Sequence, residues 1–221
     1  KIDVLGLETL TIIKKAIDNI KKGHGIDVDI SAIPMDDSAL FELIRSGKTK
    51  GVFQFEGEGF TKLLVRLMPD CFEDLIAAVA MYRPGPLGCG MVESYIDCKN
   101  GRAKPQYLHP LLEPILKETH GLILYQEQVQ RIALNLAHFT LSQGDLLRRA
   151  MGKKDAQIMA DYKDKFSKQA HDTCGSAIAT QIFEQIEYFA GYGFNKSHSA
   201  CYAYIAYQTA WLKAHYPKEY M

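Results

Sequence analysis

The chain has 221 residues, 47% hydrophobic and 24% charged, enough apolar material for a real core and too much for a disordered tail. Twenty-six Lys and Arg cancel twenty-six Asp and Glu, so net charge points to no partner, and a nucleic-acid site has to show as local clustering. The longest apolar run, eight residues from Leu75 to Tyr82, falls far short of the ~18 needed to cross a bilayer, so no membrane partner is expected.

The chain opens at Lys1 with no signal-peptide pattern and runs straight into the apolar Ile2, Val4 and Leu5. It stops at Met221, one turn into a further helix, and both ends read as cut from something longer. A face of Leu10, Ile13, Ile17 and Ile20 predicts a helix that stops at Lys21-Lys22-Gly23. A polar linker follows, and Asp36 or Asp37 caps the next helix, Ala39 to Arg45. Gly51-Val52-Phe53-Gln54-Phe55 alternates and reads as a short strand. Helices are predicted over Gly59 to Leu67 and Phe72 to Tyr82, the second ending at Arg83-Pro84-Gly85-Pro86, which cannot stay helical.

Met91 to Lys99 ends at the turn Asn100-Gly101, and His109 to His120 carries Pro114 inside it. The apolar run Leu122 to Tyr125 enters a long helix, Gln126 to His138. Thr140 and Gln143 form a capping box for the helix carrying Asp145 to Met151. Asp155 to Ala170 and Ser176 to Ala190 are amphipathic, whereas Ser199 to His215 is apolar nearly all round and therefore buried. The fold class is mainly α, with one or two short strands.

Cys71, Cys89, Cys98, Cys174 and Cys201 form no CxxC pair, and the seven histidines no HExxH pattern. Reduced, mostly core or half-core thiols in a cytoplasmic protein are the expectation, with no zinc site.

Three stretches can carry chemistry. Leu147 to Lys154 places Arg148, Arg149, Lys153 and Lys154 within about two turns, around Gly152. Guanidinium forks take phosphate oxygens bidentately while lysines add mobile charge; the competing reading is a solvated helix C-terminus whose cations oppose the dipole. Tyr192-Gly193-Phe194-Asn195-Lys196-Ser197-His198 joins two helices, with Ser197 or Ser199 as cap and free backbone N–H groups suited to a phosphate or a base face. Its alternative is a loop that packs its aromatics into the core. Two prolines and a glycine stiffen the backbone around Arg83, which lowers the entropy cost of binding through it, though a purely structural turn explains the pattern too. Asp27 and Asp29 form a D-x-D with no strand before it, which reads as a linker feature.

Six stretches, in order from end to end, resemble the alpha subunit of bacterial DNA polymerase III, a C-family replicative polymerase. They are Lys1 to Leu7 with Thr9-Leu10-Thr11; Gly51 to Glu56; Tyr82 to Pro86; Tyr125 to Val129; Leu147 to Lys154; and Tyr192 to His198 with Tyr207-Gln208-Thr209-Ala210. The resemblance implies the end of a palm over residues 1–22 and a helical fingers domain over 23–221. Asp3 would be the catalytic, metal-binding carboxylate of the palm, one of three holding two Mg2+ ions; Val4 stands beside it where an aromatic is usual. Arg148 and Arg149 would grip the triphosphate, and Lys153, Lys154, Lys196, Ser197 and His198 would line the nucleotide. Arg83, Tyr192 and Asn195 would face DNA.

The implied reaction is template-directed nucleotidyl transfer from a deoxynucleoside triphosphate to a primer 3′-hydroxyl, on primer-template DNA. A sliding clamp and other replisome subunits would act through regions outside this chain, and the chain alone would not polymerise. The alternatives are the same region of an error-prone C-family relative, a non-catalytic helical module binding nucleotide or nucleic acid, or a structural helical domain.

Overall fold

A computed structural model describes residues 6–88, 90–153, 156–190 and 193–221, with the side chains of 152, 153 and 156 also outside the description. The first residues described as helical form α1 (Glu8–His24), followed by α2 (Ser38–Arg45), α3 (Glu58–Leu67), α4 (Phe72–Met81), α5 (Pro84–Gly88) and α6 (Met91–Lys99). A short α7 (Glu113–Leu116) lies between two 3-10 turns, Pro110–Leu112 and Lys117–Thr119. Then come α8 (Gln126–Ala137), α9 (Leu141–Lys153), α10 (Ala156–Gln169), α11 (His171–Cys174), α12 (Ser176–Ala190), α13 (Lys196–His215) and α14 (Pro217–Tyr220).

Most of the predicted helices form where periodicity and caps place them. Asp37 accepts from Leu40 N at 2.9 Å and starts α2. The Thr140–Gln143 box is reciprocal, with Gln143 Oε1 accepting from Thr140 N at 2.9 Å and Thr140 Oγ1 from Gln143 N at 3.2 Å. α1 runs past Gly23 and ends at Gly25, whose positive φ of 70° lets its N–H reach Lys21 O. Pro84 ends α4 as expected but also opens the five-residue α5, since a proline at a first helical position lacks only an N–H that has no intrahelical partner. The predicted His109–His120 helix is three short pieces, 3-10, α and 3-10, with Pro114 in the first turn of the α piece, where its missing N–H breaks the ladder back to the first 3-10 turn.

The strand expected at Gly51–Phe55 is a succession of turns. Val52 and Phe55 are the fully buried pair, three residues apart, a spacing that no strand face offers. Gly51 and Gln54 both take positive φ, and the backbone bonds close locally from Val52 N to Thr49 O and from Phe55 N to Val52 O. Among the described residues the one β pairing is a single parallel bridge between Tyr125 and Phe194.

The chain divides into two compact units, one running to Ala78 and resuming over Ala200–Met221, the other Val79–Ser199. In the first, Ile13, Ala16 and Ile20 of α1 pack on Leu212, and Phe55 stacks on Phe60 at 4.8 Å. In the second, apolar faces of α8, α9, α10 and α12 close one core, with Phe166 between Phe139 and Phe183. Cys71, Cys98 and Cys174 are partly exposed thiols, Cys201 is exposed, and Cys89 lies outside the described residues. No described helix is long and apolar enough to cross a membrane.

Candidate functional site

The second unit brings the α9 arginines, the start of α8 and the turn before α13 together. Asp145, one turn before Arg148, accepts from its Nε at 3.0 Å and its Nη2 at 2.8 Å, a two-pronged grip. The other Asp145 oxygen takes Arg149 Nε at 2.8 Å. With Arg148 donating to it and Arg149 beside it, the Asp145 carboxyl is held below the ordinary carboxylate range. Arg149 remains 63% exposed, whereas Arg148 is only 31% exposed.

Arg148 reaches further. Its Nη1 approaches Gln126 Oε1 at 3.5 Å, and Gln126 Nε2 donates to Gly193 O at 3.3 Å. Gln126 N donates to Phe194 O at 2.9 Å. The turn is tight here: a Cβ on Gly193 would meet Phe189 Cε1 at 3.0 Å and Gln126 Cγ at 3.3 Å, so a larger residue would have to push these side chains aside. Phe194 then lies under Arg83, whose guanidinium carbon is 4.2 Å from the ring centroid and whose Nε donates to Ala80 O. Burial lowers the Arg83 pKa from its usual value.

The residues opening α13 are engaged differently from expectation. Asn195, not Ser197 or Ser199, is the cap: its Oδ1 accepts from His198 N at 2.9 Å and its carbonyl from Ser199 N. Ser199 is fully buried. The Glu127 carboxylate accepts from Lys196 N at 3.1 and 3.3 Å, occupying the place at the helix N-terminus that an incoming anion would take. The N–H groups of Lys196, His198 and Ser199 are thus not the free donors foreseen. Lys196 Nζ pairs with Glu118 and lies 5.4 Å from the Tyr125 ring centroid. Ser197 and His198 are exposed, the His198 ring edge-on to Phe194 at 5.4 Å.

Of the residues singled out from sequence, Arg83, Arg148, Asn195, Lys196, Ser197 and His198 therefore gather around one turn, with Arg149 joined through Asp145. Asp3, Lys154, Tyr192 and the side chain of Lys153 lie outside the described residues. Gln126, Asp145, Glu118 and Glu127 were not foreseen as site residues, although polar residues opening a helix next to an aromatic, as in Tyr125-Gln126-Glu127, were a usable signal.

Magnesium finds no built site among the described residues. Asp27 pairs with Lys21 at 2.8 Å, and Asp29 is turned onto the N–H and hydroxyl of Ser31, so the D-x-D is spent locally, as a linker feature would be. Asp70, Cys71 and Asp74 lie close enough to share an ion, but a thiol is a poor ligand for hard magnesium, and Asp74 accepts from Asp70 N.

The family of the bacterial DNA polymerase III alpha subunit finger domain matches residues 9–174. Proteins named DNA polymerase III subunit alpha are similar over the whole of this chain: 53% identical in Pasteurella multocida, 50% in Escherichia coli and 48% in Aquifex aeolicus. The chain spans about a fifth of the length of these curated relatives, 20%, 20% and 19% respectively.

Proposed function

This chain belongs to the finger-domain family of the bacterial DNA polymerase III alpha subunit, and from that premise we propose that it holds the triphosphate of an incoming deoxynucleotide against a primed template in a DNA-directed DNA polymerase. The observation that carries this reading is the run of contacts from Arg149 through Asp145, Arg148 and Gln126 to the Gly193–Phe194 turn. It ties one forked cation, Arg148, to an aromatic, glycine-bearing turn, with a second, Arg149, joined to it through Asp145, which suits a ligand with a polyphosphate at one end and a base at the other.

Asp145 keeps the forks ordered before a ligand arrives. The Asp145–Arg149 pair is exposed and therefore weak, and a polyphosphate carries more charge and more acceptor oxygens than one carboxylate, so it would compete with Asp145 first at Arg149. Arg148, held also by Gln126, would follow second. During nucleotidyl transfer the primer 3′-hydroxyl attacks the α-phosphorus and pyrophosphate leaves; Arg148 and Arg149 would meet the charge that grows on the leaving oxygens. Arg83, over Phe194, and Asn195 would face DNA, a role the sequence resemblance also gives to Tyr192. Lys196, Ser197 and His198, with Lys153 and Lys154, line the nucleotide side, Lys196 only after Glu118 gives way.

Two Mg2+ ions, when bound, would activate the attacking hydroxyl and neutralise the leaving oxygens. Asp3 would be the ligand that this chain contributes to them. Alone, the chain is expected not to extend primers. A sliding clamp, further replisome subunits and a cytoplasmic setting complete the reading.

The ion pairs with Asp145 favour one other reading, in which the arginines only hold α9 in shape. Primer extension by the alpha subunit carrying Arg148→Ala and Arg149→Ala decides between them. Loss of the phosphate contacts raises KM for the triphosphate by about tenfold or more. A KM within twofold of wild type, at unchanged thermal stability, leaves only the structural role.

A further inference from the structure

We infer that Gln126 is a positioning residue, whose side-chain amide couples Arg148 to the backbone of the Gly193–Phe194 turn so that the cation and the turn move as one. The inference rests on the phosphate-binding reading of Arg148. A guanidinium only donates hydrogen bonds and a carbonyl only accepts them, and a primary amide can join the two because it accepts at one end and donates at the other. Gln126 is placed in that way, with Oε1 toward Arg148 Nη1 at 3.5 Å and Nε2 toward Gly193 O at 3.3 Å. The reverse orientation would set an NH2 against the guanidinium and an oxygen against the carbonyl, so the network fixes the amide's direction.

The rest of the residue is pinned as well. Its backbone N–H donates to Phe194 O at 2.9 Å, beside the Tyr125–Phe194 bridge, so main chain and side chain grip consecutive residues of one turn. The absent Cβ of Gly193 leaves the room that Gln126 Cγ occupies, and Phe189 closes the other side. Phe194 in turn carries Arg83, so a displacement of Arg148 by ligand would reach the DNA-facing aromatic through Gln126.

The test is steady-state primer extension by the alpha subunit, with the deoxynucleoside triphosphate varied, for Gln126→Leu, Gln126→Glu, Arg148→Ala and the Gln126→Leu/Arg148→Ala double variant. Gln126→Leu removes both bonds and should raise KM about fivefold to tenfold while kcat changes less than about threefold, a split that general destabilisation does not produce. Gln126→Glu keeps the size and the acceptor for Arg148 but faces Gly193 O with a second acceptor. It should raise KM as well, and it keeps the test alive if the leucine variant does not fold. In the Arg148→Ala background, Gln126→Leu should add no further increase.

Arg148→Ala at wild-type KM overturns the phosphate reading itself. If Arg148→Ala raises KM while both Gln126 variants remain at wild type, only the positioning role falls; a fully additive double variant overturns it too.

Discussion

Replacing Gln128 with methionine probes the amide that fixes the approach to the site. Gln128 is 2% exposed, and all four of its hydrogen-bonding positions are used. Oε1 accepts from Leu124 N at 2.8 Å and Tyr125 N at 2.9 Å; Nε2 donates to Thr119 Oγ1 at 2.7 Å and to Ile115 O at 3.4 Å. Methionine fills nearly the same volume and makes none of these bonds, so packing is kept while the bonds are lost. Leu124 and Tyr125 are themselves 1% and 2% exposed, so water does not replace the partner. Two stranded N–H groups at about 1–3 kcal/mol each give a loss of about 2–6 kcal/mol. The effect is read by amide hydrogen exchange on the alpha subunit, in peptides covering residues 119–129. At about 1.4 kcal/mol per tenfold, protection of that segment should fall by at least about thirtyfold. Protection within about threefold of wild type would refute the claim that this amide holds the segment.

Gly193→Ala drives a Cβ to 3.0 Å from the ring of Phe189, which is 2% exposed and packed in the core, so the ring or the turn has to shift to admit it. Chemical denaturation should show a loss of about 1–3 kcal/mol, the usual cost of overpacking. The Asp145 carboxyl, held down mainly by the hydrogen bond from Arg148, contributes stability that is present above its unfolded pKa and lost as pH falls through the lower folded one. NMR titration of the Asp145 carboxyl should therefore give a midpoint below the ordinary carboxylate range, and Arg148→Ala should move it upward.

Much of the helical scaffold was legible from local chemistry. The caps at Asp37 and Thr140–Gln143, the stop at Asn100-Gly101 and the span Ser176–Ala190 all involve partners within a few residues, so spacing alone reveals them. Where two local solutions compete, spacing does not choose. Gly23 and Gly25 both suit the end of α1, and Asn195, Ser197 and Ser199 all suit the start of α13; the ones used are Gly25 and Asn195. The Gly51–Phe55 segment misled because its alternation suits a strand, while burial of Val52 and Phe55 together needs a turn, and the bond from Phe53 N to Thr209 Oγ1 comes from 156 residues away.

The site divides along the same line. Asp145 was not foreseen as a site residue, yet helical spacing already offered it to Arg148 and Arg149, because residues three and four apart are neighbours on a helix. Tertiary structure alone decided that Gln126 meets Gly193, 67 residues along the chain, and that Glu127 and Glu118 occupy the backbone and side chain of Lys196. A motif states which groups can donate or accept. Which of several available partners each one takes depends on distances that only the packed core of α8, α9 and α12 sets.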